Sequence, residues 1–186
     1  MTVSSTDSPP HNLQLVIDFV NTVDIEADTD ELATPADLAG WLTARSLLDS
    51  GAGAPRAAEH AQALALREAL RALLLGHNGQ TADAGATATL GHAAELGALS
   101  VGFGADGRPA VTARGPGVPG ALAALLVPVV EASGDGSWKR VKACRAPDCQ
   151  WAFYDASRNR AGRWCDMAVC GNRHKVRAYR ERSGAS

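Results

Sequence analysis

A chain of 186 residues, 46% hydrophobic and 20% charged, can bury one core, or one core with a small appendage. Its longest purely apolar run, Ala121 to Val130 with Pro128 inside, falls far short of the roughly 20 residues that span a bilayer, and its first ten residues lack the basic and apolar segments of a secretory signal, so the expectation is a cytoplasmic protein with no membrane partner. The net charge of −2 hides a division: residues 1–138 carry 6 basic and 16 acidic side chains, residues 139–186 carry 12 and 4, which suggests a basic module with an anionic partner joined to an acidic one with another task.

The Ser/Pro-rich start, residues 1–11, reads as a mobile tail. From Asn12 onward, Leu13, Val16, Ile17 and Val20 keep the spacing of one helix face, widened by Phe19 and Val23. Thr34 and Pro35 announce a second helix, with Leu38, Trp41, Leu42 and Leu48 on its apolar side and an end near Gly51. The segment from Pro55 to about Gly76 is rich in strong helix formers and aligns Leu66, Leu70, Leu73 and Leu74. A weaker helix is expected over Ala84 to Leu99. An Asp-Gly turn between Val101, Phe103 and Val111 predicts a β-hairpin, and an apolar helix over about Val118 to Ala132 leads to the loop before Trp138.

All four cysteines lie in the basic segment, spaced C-x4-C-x15-C-x4-C as Cys144, Cys149, Cys165 and Cys170. A reducing compartment disfavours disulfides, and two thiolate pairs separated by a loop suit a closed tetrahedral zinc site. A full set of four sulfur ligands leaves no open position for substrate, so one structural Zn2+ is expected, with His174 unneeded as a ligand and solvated on its helix. Trp151, Phe153 and Tyr154, the polar "SRNRAG" and then Arg163 and Trp164 read as strand, turn and returning strand, and the last stretch reads as a helix carrying the final ligand. Knuckle, hairpin and helix make a treble-clef-like finger, with Trp151, Phe153 and Trp164 as its core.

On that terminal helix Arg173, Arg177 and Arg180 fall within about 60° of one another. Val176 and Tyr179, displaced around the helix, would pack on the hairpin while the arginines face outward. With Lys175 beside them and Arg158, Arg160 and Arg163 on the hairpin, they form a candidate nucleic-acid surface, since guanidinium forks suit phosphate and guanine edges. The same charges are also suited to docking on the acidic half of the chain.

The tetrad Cys170-Gly171-Asn172-Arg173, the four cysteine positions, "WAFYD" and "RNRAGRWC" together resemble the CGNR zinc-finger family. Asp18-Phe19-Val20-Asn21-Thr22 and the helical pattern around it resemble the ABATE domain that accompanies this finger in bacterial stress-induced transcription regulators. The predicted elements make a mainly α protein with a helical domain over 12–136 containing a small β-hairpin and a zinc finger over 137–186, and the resemblance implies a bacterial transcription regulator whose zinc-dependent C-terminus binds DNA.

Asp18, Asn21 and Thr22 are spaced to share a helix side, and Arg67 and Arg71 are candidates to answer Asp18 or Asn21; the cluster is either structural or part of an effector site. No nucleophile with a paired base, phosphate loop or open metal site appears before the finger, so no enzyme is expected. Three readings remain: a DNA-binding regulator whose acidic half senses a small molecule or forms an oligomer; an RNA-binding protein whose Trp151, Phe153 and Trp164 stack bases; and a small-molecule binder or enzyme braced by the finger.

Overall fold

In the computed structural model, which describes residues 9–81 and 83–183, the first apolar stripe becomes helix α1 (Leu13–Val20), burying Leu13, Val16, Ile17, Phe19 and Val20. The tail expected over residues 1–11 lies, up to residue 8, outside the described residues. A ribbon that the sequence reading missed comes next: β1 (Val23–Asp24) pairs antiparallel with β2 (Thr29–Asp30). The Asp24 carboxylate ties its loop by accepting from the backbone N–H groups of Glu26 and Ala27, each at 3.0 Å, as an Asp side chain does in a turn of its own making.

Helix α2 (Pro35–Ala44) begins with Thr34 and Asp37 capping each other's backbone. It stops well before Gly51, because Ser46 adopts φ 57° and the Leu47 N–H returns to the Leu42 carbonyl at 3.0 Å. That left-handed cap satisfies the orphaned carbonyls and ends the helix, while Leu48 is buried from the loop beyond. Helix α3 (Ala57–His77) buries Leu66, Leu70 and Leu74 and leaves Leu73 partly covered. Helix α4 (Ala84–Leu96) starts where the Asp83 carboxylate accepts from the Gly85 N–H. The expected hairpin is present, β3 (Leu99–Phe103) against β4 (Pro109–Ala113), with Val101 opposite Val111.

The single helix expected over 118–132 is two, α5 (Gly117–Ala124) and α6 (Val127–Gly134). Pro128 has no N–H to donate and its ring crowds the carbonyl four residues earlier, so the chain turns at Leu125 and Leu126. Gly117–Gly134 is long and apolar enough by composition to cross a membrane, but this break divides it. Leu122, Ala123, Leu125 and Leu126 are buried in the protein core, which accounts for much of its apolar character.

Trp138, Val141, Ala143 and Ala152 belong to the same core cluster as α1 and α3, so the basic segment is built onto the helical one. Strand β5 (Val141–Ala143) packs on α3, and its partner β6 (Ala152–Tyr154) packs on α1. This hairpin frames the first cysteine pair, which corrects the expectation of a returning strand at Arg163–Trp164. In its place, residues 155–162 loop around a buried ion pair: Lys142 Nζ donates to Asp155 Oδ2 at 2.7 Å, to the Arg160 carbonyl at 2.6 Å and to the Gly162 carbonyl at 3.1 Å. The Gly162 N–H donates to the same Asp155 oxygen at 2.8 Å. A strand ladder would leave these two charges unmatched in a place where each is about 95% covered.

Burial alone would raise the Asp155 carboxyl, but donation from Lys142, Ser157 and Gly162 outweighs it and holds the pKa at about 2. Stabilisation from this depressed group is therefore complete above its unfolded value, about 3.9, and is lost as pH falls toward 2. Asp155→Asn leaves the Lys142 ammonium buried without a counter-charge, and should cost about 3–5 kcal/mol in urea unfolding at pH 7. The same variant should flatten the decline in stability between about pH 4 and 2; an unchanged decline would assign it to other carboxylates.

Candidate metal centre and the helix it holds

The hairpin end delivers the first two ligands. The Cys144 N–H donates to the Trp151 carbonyl at 2.9 Å, and the Cys149 and Gln150 N–H groups both return to the Ala146 carbonyl at 3.0 Å, with Gln150 at φ 51°. The second pair comes from the segment before and inside a single wide helical turn, Met167–Gly171. Asp166 starts that turn, its carboxylate accepting from Ala168 and Val169 at 2.6 and 3.1 Å while its carbonyl accepts from the Gly171 N–H at 3.2 Å.

The four sulfurs lie within 4.8 Å of one another. Cys149 and Cys165 are 3.6 Å apart, and Cys165 and Cys170 are 3.7 Å apart. A tetrahedral zinc with bonds of about 2.3 Å requires sulfurs about 3.8 Å apart, so the donor set fits one structural zinc ion with no position left open. Cys144 and Cys170 are buried and the other two half-buried. Bound there, the ion ties the hairpin to the C-terminal turn, and its chemistry is cohesion alone.

Each residue of the tetrad has a separate task. Cys170 is a ligand. Gly171 is buried where a Cβ would press on the Met167 sulfur and approach Trp164 Cδ1 to 3.3 Å. The Asn172 amide donates to the Ala168 carbonyl at 2.9 Å, filling an acceptor that the wide turn leaves open. The Arg173 fork binds Glu26 bidentately, with both bonds at 2.8 Å, from the loop of the β1–β2 ribbon.

Helix α7 (Asn172–Ser183) follows and has no buried residue. Val176 is 50% and Tyr179 65% exposed, which corrects the expectation that they pack on the hairpin: the hairpin lies on α1 and α3 instead. His174 is exposed yet stacks on Trp164, ring centroids 4.8 Å apart, and so braces the first turn. Trp164 is half-buried, as is Phe153, while Trp151 is 36% exposed and lies at the margin of the finger core.

The arginine stripe is divided. Arg173 faces Glu26, and Arg173 and Arg177 lie 3.9 and 3.7 Å from Asp148 of the knuckle. Lys175, Arg180, Arg158, Arg160 and Arg163 make no ion pair with any described residue, and all five are exposed.

The polar cluster near α1 also resolves into separate contacts. Among the described residues, Asp18 hydrogen-bonds with Gln14 alone, at 2.7 Å. Asn21 lies past the end of α1 and pairs with Ala152 as a strand would, its amide donating to the carbonyl at 2.9 Å and its oxygen accepting from the N–H at 2.7 Å. Arg67 reaches Asp30 at 2.7 and 2.8 Å and the Thr22 hydroxyl at 3.1 Å, and Arg71 donates to the carbonyls of Val20 and Gln150. Neither arginine answers Asp18 or Asn21, because Asn21 and Thr22 leave the helix and turn to different neighbours. Asn78 at the end of α3 donates to the carbonyls of Ala143 and Arg163 at 2.8 and 2.9 Å. These partners join the helical half to the finger, and no spacing rule linked residues so far apart in the chain.

The chain matches the family model of the CGNR zinc finger over residues 140–183. It also matches the ABATE family, described as "Putative stress-induced transcription regulator", over residues 13–146. The two ranges overlap across β5 and the first cysteine, the stretch shared by both packing units. No curated protein matches the chain.

Removing zinc should divide the finger. Strand β5, with Val141 and Ala143 fully buried on α3, should stay folded, while α7 loses its only deep anchor. Chelation, or Cys170→Ser, should abolish the one zinc per chain and open rapid tryptic cleavage after Arg173, Arg177 and Arg180, with the main thermal transition of the helical half retained. Equal protease resistance with and without metal would refute the clasp.

Proposed function

Because the chain belongs to the ABATE family and ends in a CGNR zinc finger, we propose that it is a transcription regulator that binds duplex DNA through α7 and the basic loop before it. The observation that carries this reading is a helix of 12 residues that buries none of them. Such a helix gains little from packing and is marginal alone, so the metal clasp beneath it serves to present it. At about 1.5 Å per residue it is long enough to cross a major groove about 12 Å wide. Arg177, Arg180 and Lys175, with Arg158, Arg160 and Arg163, are the proposed phosphate and base contacts, while Arg173 is held by Glu26 and orients the helix.

The acidic half, which carries most of the core, is the proposed sensing or association domain, and the cytoplasm is the proposed location. Neither family description names an enzymatic activity, and no catalytic role is assigned to any residue. The finger is proposed as the unit over 137–186 and the helical domain over 12–136, joined by a shared core.

If about five phosphates are neutralised, log affinity for duplex DNA should fall against log salt with a slope near −4.5, and Arg177→Ala with Arg180→Ala should bring it to about −2.7. Affinity indifferent to salt and to both substitutions would sink the proposal. Tighter binding of single-stranded RNA than of duplex DNA would replace DNA with RNA as the partner. Absence of either would leave the finger as a brace for the helical half.

A further inference from the structure

Away from the finger, α3, α4 and α5 line an open cleft of about 320 Å3. Ala65 of α3 and Ala88 of α4 form its walls, Leu122 of α5 its buried floor, and Leu96, 43% exposed, borders it. No Asp, Glu, Lys or Arg lines it. Gln62 and His92 reach it from facing helices with side chains that make no hydrogen bond to any described residue, whereas the Thr89 hydroxyl is already donated to the Gly85 carbonyl at 3.1 Å.

The cleft cannot simply collapse. At one end the backbones are in contact through glycines: a Cβ on Gly97 would meet Ala123 and the Pro119 carbonyl, and one on Gly120 would meet the Gly115 carbonyl. The Gly97 contact fixes α5 against the end of α4, and the Gly120 contact holds α5 against the loop that leads into it, while the alanines farther along are too small to fill the space between. Helix α4 meets the core through Leu90, Ala93 and Ala94, which are only partly covered, and Ala86 is its one buried residue. A molecule in the cleft would therefore give α4 apolar contact that the chain itself does not supply.

We infer that this cleft is a binding site for one small, uncharged, mainly apolar organic molecule whose single polar group hydrogen-bonds with Gln62 and His92. The volume lies at the small end of the about 300–1,000 Å3 usual for such ligands. A carboxylate or phosphate would lose its hydration and find no cation in exchange. The site gives the proposed sensing role a location, rests on that part of the proposal for its biological purpose, and is independent of DNA binding.

The test uses the full zinc-loaded chain and N-phenyl-1-naphthylamine, a neutral fluorophore with one N–H. Saturable binding of one probe per chain is expected. Ala65→Leu and Ala88→Leu, which fill the cleft from different helices at exposed positions, should each weaken it by about tenfold or more, with the thermal transition retained. Gln62→Leu should reduce the preference for this probe over naphthalene, and anionic 1-naphthoate should bind about tenfold or more weakly. Phe103→Ser, on the exposed hairpin, should leave probe binding unchanged. The inference is overturned by absent or non-saturable binding, by affinity indifferent to both filling variants, by equal binding of 1-naphthoate, or by loss of binding in Phe103→Ser. A DNA titration on the same preparation reads the other proposal separately, so that either can fail alone.

Discussion

Four cysteine sulfurs within 4.8 Å of one another would repel as thiolates unless a cation lay among them, and the C-terminal segment of this chain is organised around that constraint. Two of the sulfurs come from a hairpin fixed to the helical core, and two from a turn with little attachment of its own. The ion thus converts a rigid surface into a socket for α7. Asp166, Asn172 and the Trp164–His174 stack shape the socket, but each is a local contact at the margin of the fold. Metal and core have divided the work, the core setting where the socket stands and the metal setting whether it is filled.

Helix α3 is the element through which the two halves become one body. Its middle presents Arg67 and Arg71 to the β1–β2 ribbon, the end of α1 and the knuckle, and its last turn presents His77 and Asn78 to β5. Burial disfavours the charged imidazole of His77 and donation to the Val141 carbonyl favours it; with Lys139 and Lys142 nearby, the balance lowers its pKa. Most of these bonds run from side chains to backbone carbonyls, acceptors that any residue supplies. The segments of opposite net charge are therefore joined by apolar packing and by arginine and amide donors, with Arg173 and Glu26 a further, exposed link.

Local chemistry was legible in the sequence where it acts through near neighbours. Thr34 and Pro35 start a helix, Asp106 and Gly107 turn a hairpin, and the four cysteines, by type and spacing together with the aromatic and polar stretch between them, point to a metal site. What escaped depended on distance along the chain. The strand expected at Arg163 could not be rejected without knowing that Lys142 and Asp155 would meet inside the loop. The exposure of Val176 and Tyr179 could not be read from periodicity, because an apolar residue on a helix reports a face and not what lies opposite. Pro128 did carry a signal for the break between α5 and α6, one that the apolar composition around it obscured.

Arg173 shows why one stripe of arginines holds two kinds of residue. Its pair with Glu26 is exposed on both sides, and solvent screens pairs of that kind. Stability is thus a small part of its effect. Bidentate geometry, however, fixes direction as well as distance, and Arg173 sits in the first turn of α7, where Asp148 lies 3.9 Å from it and 3.7 Å from Arg177. Arg180, two turns farther along, has no acidic partner among the described residues and lies where the helix stands clear of the fold. Along the stripe, Arg173 meets Glu26 of the acidic half and Asp148 of the knuckle, Arg177 lies near Asp148 alone, and Arg180 meets no acid among the described residues, so pairing falls away with distance from the cysteines.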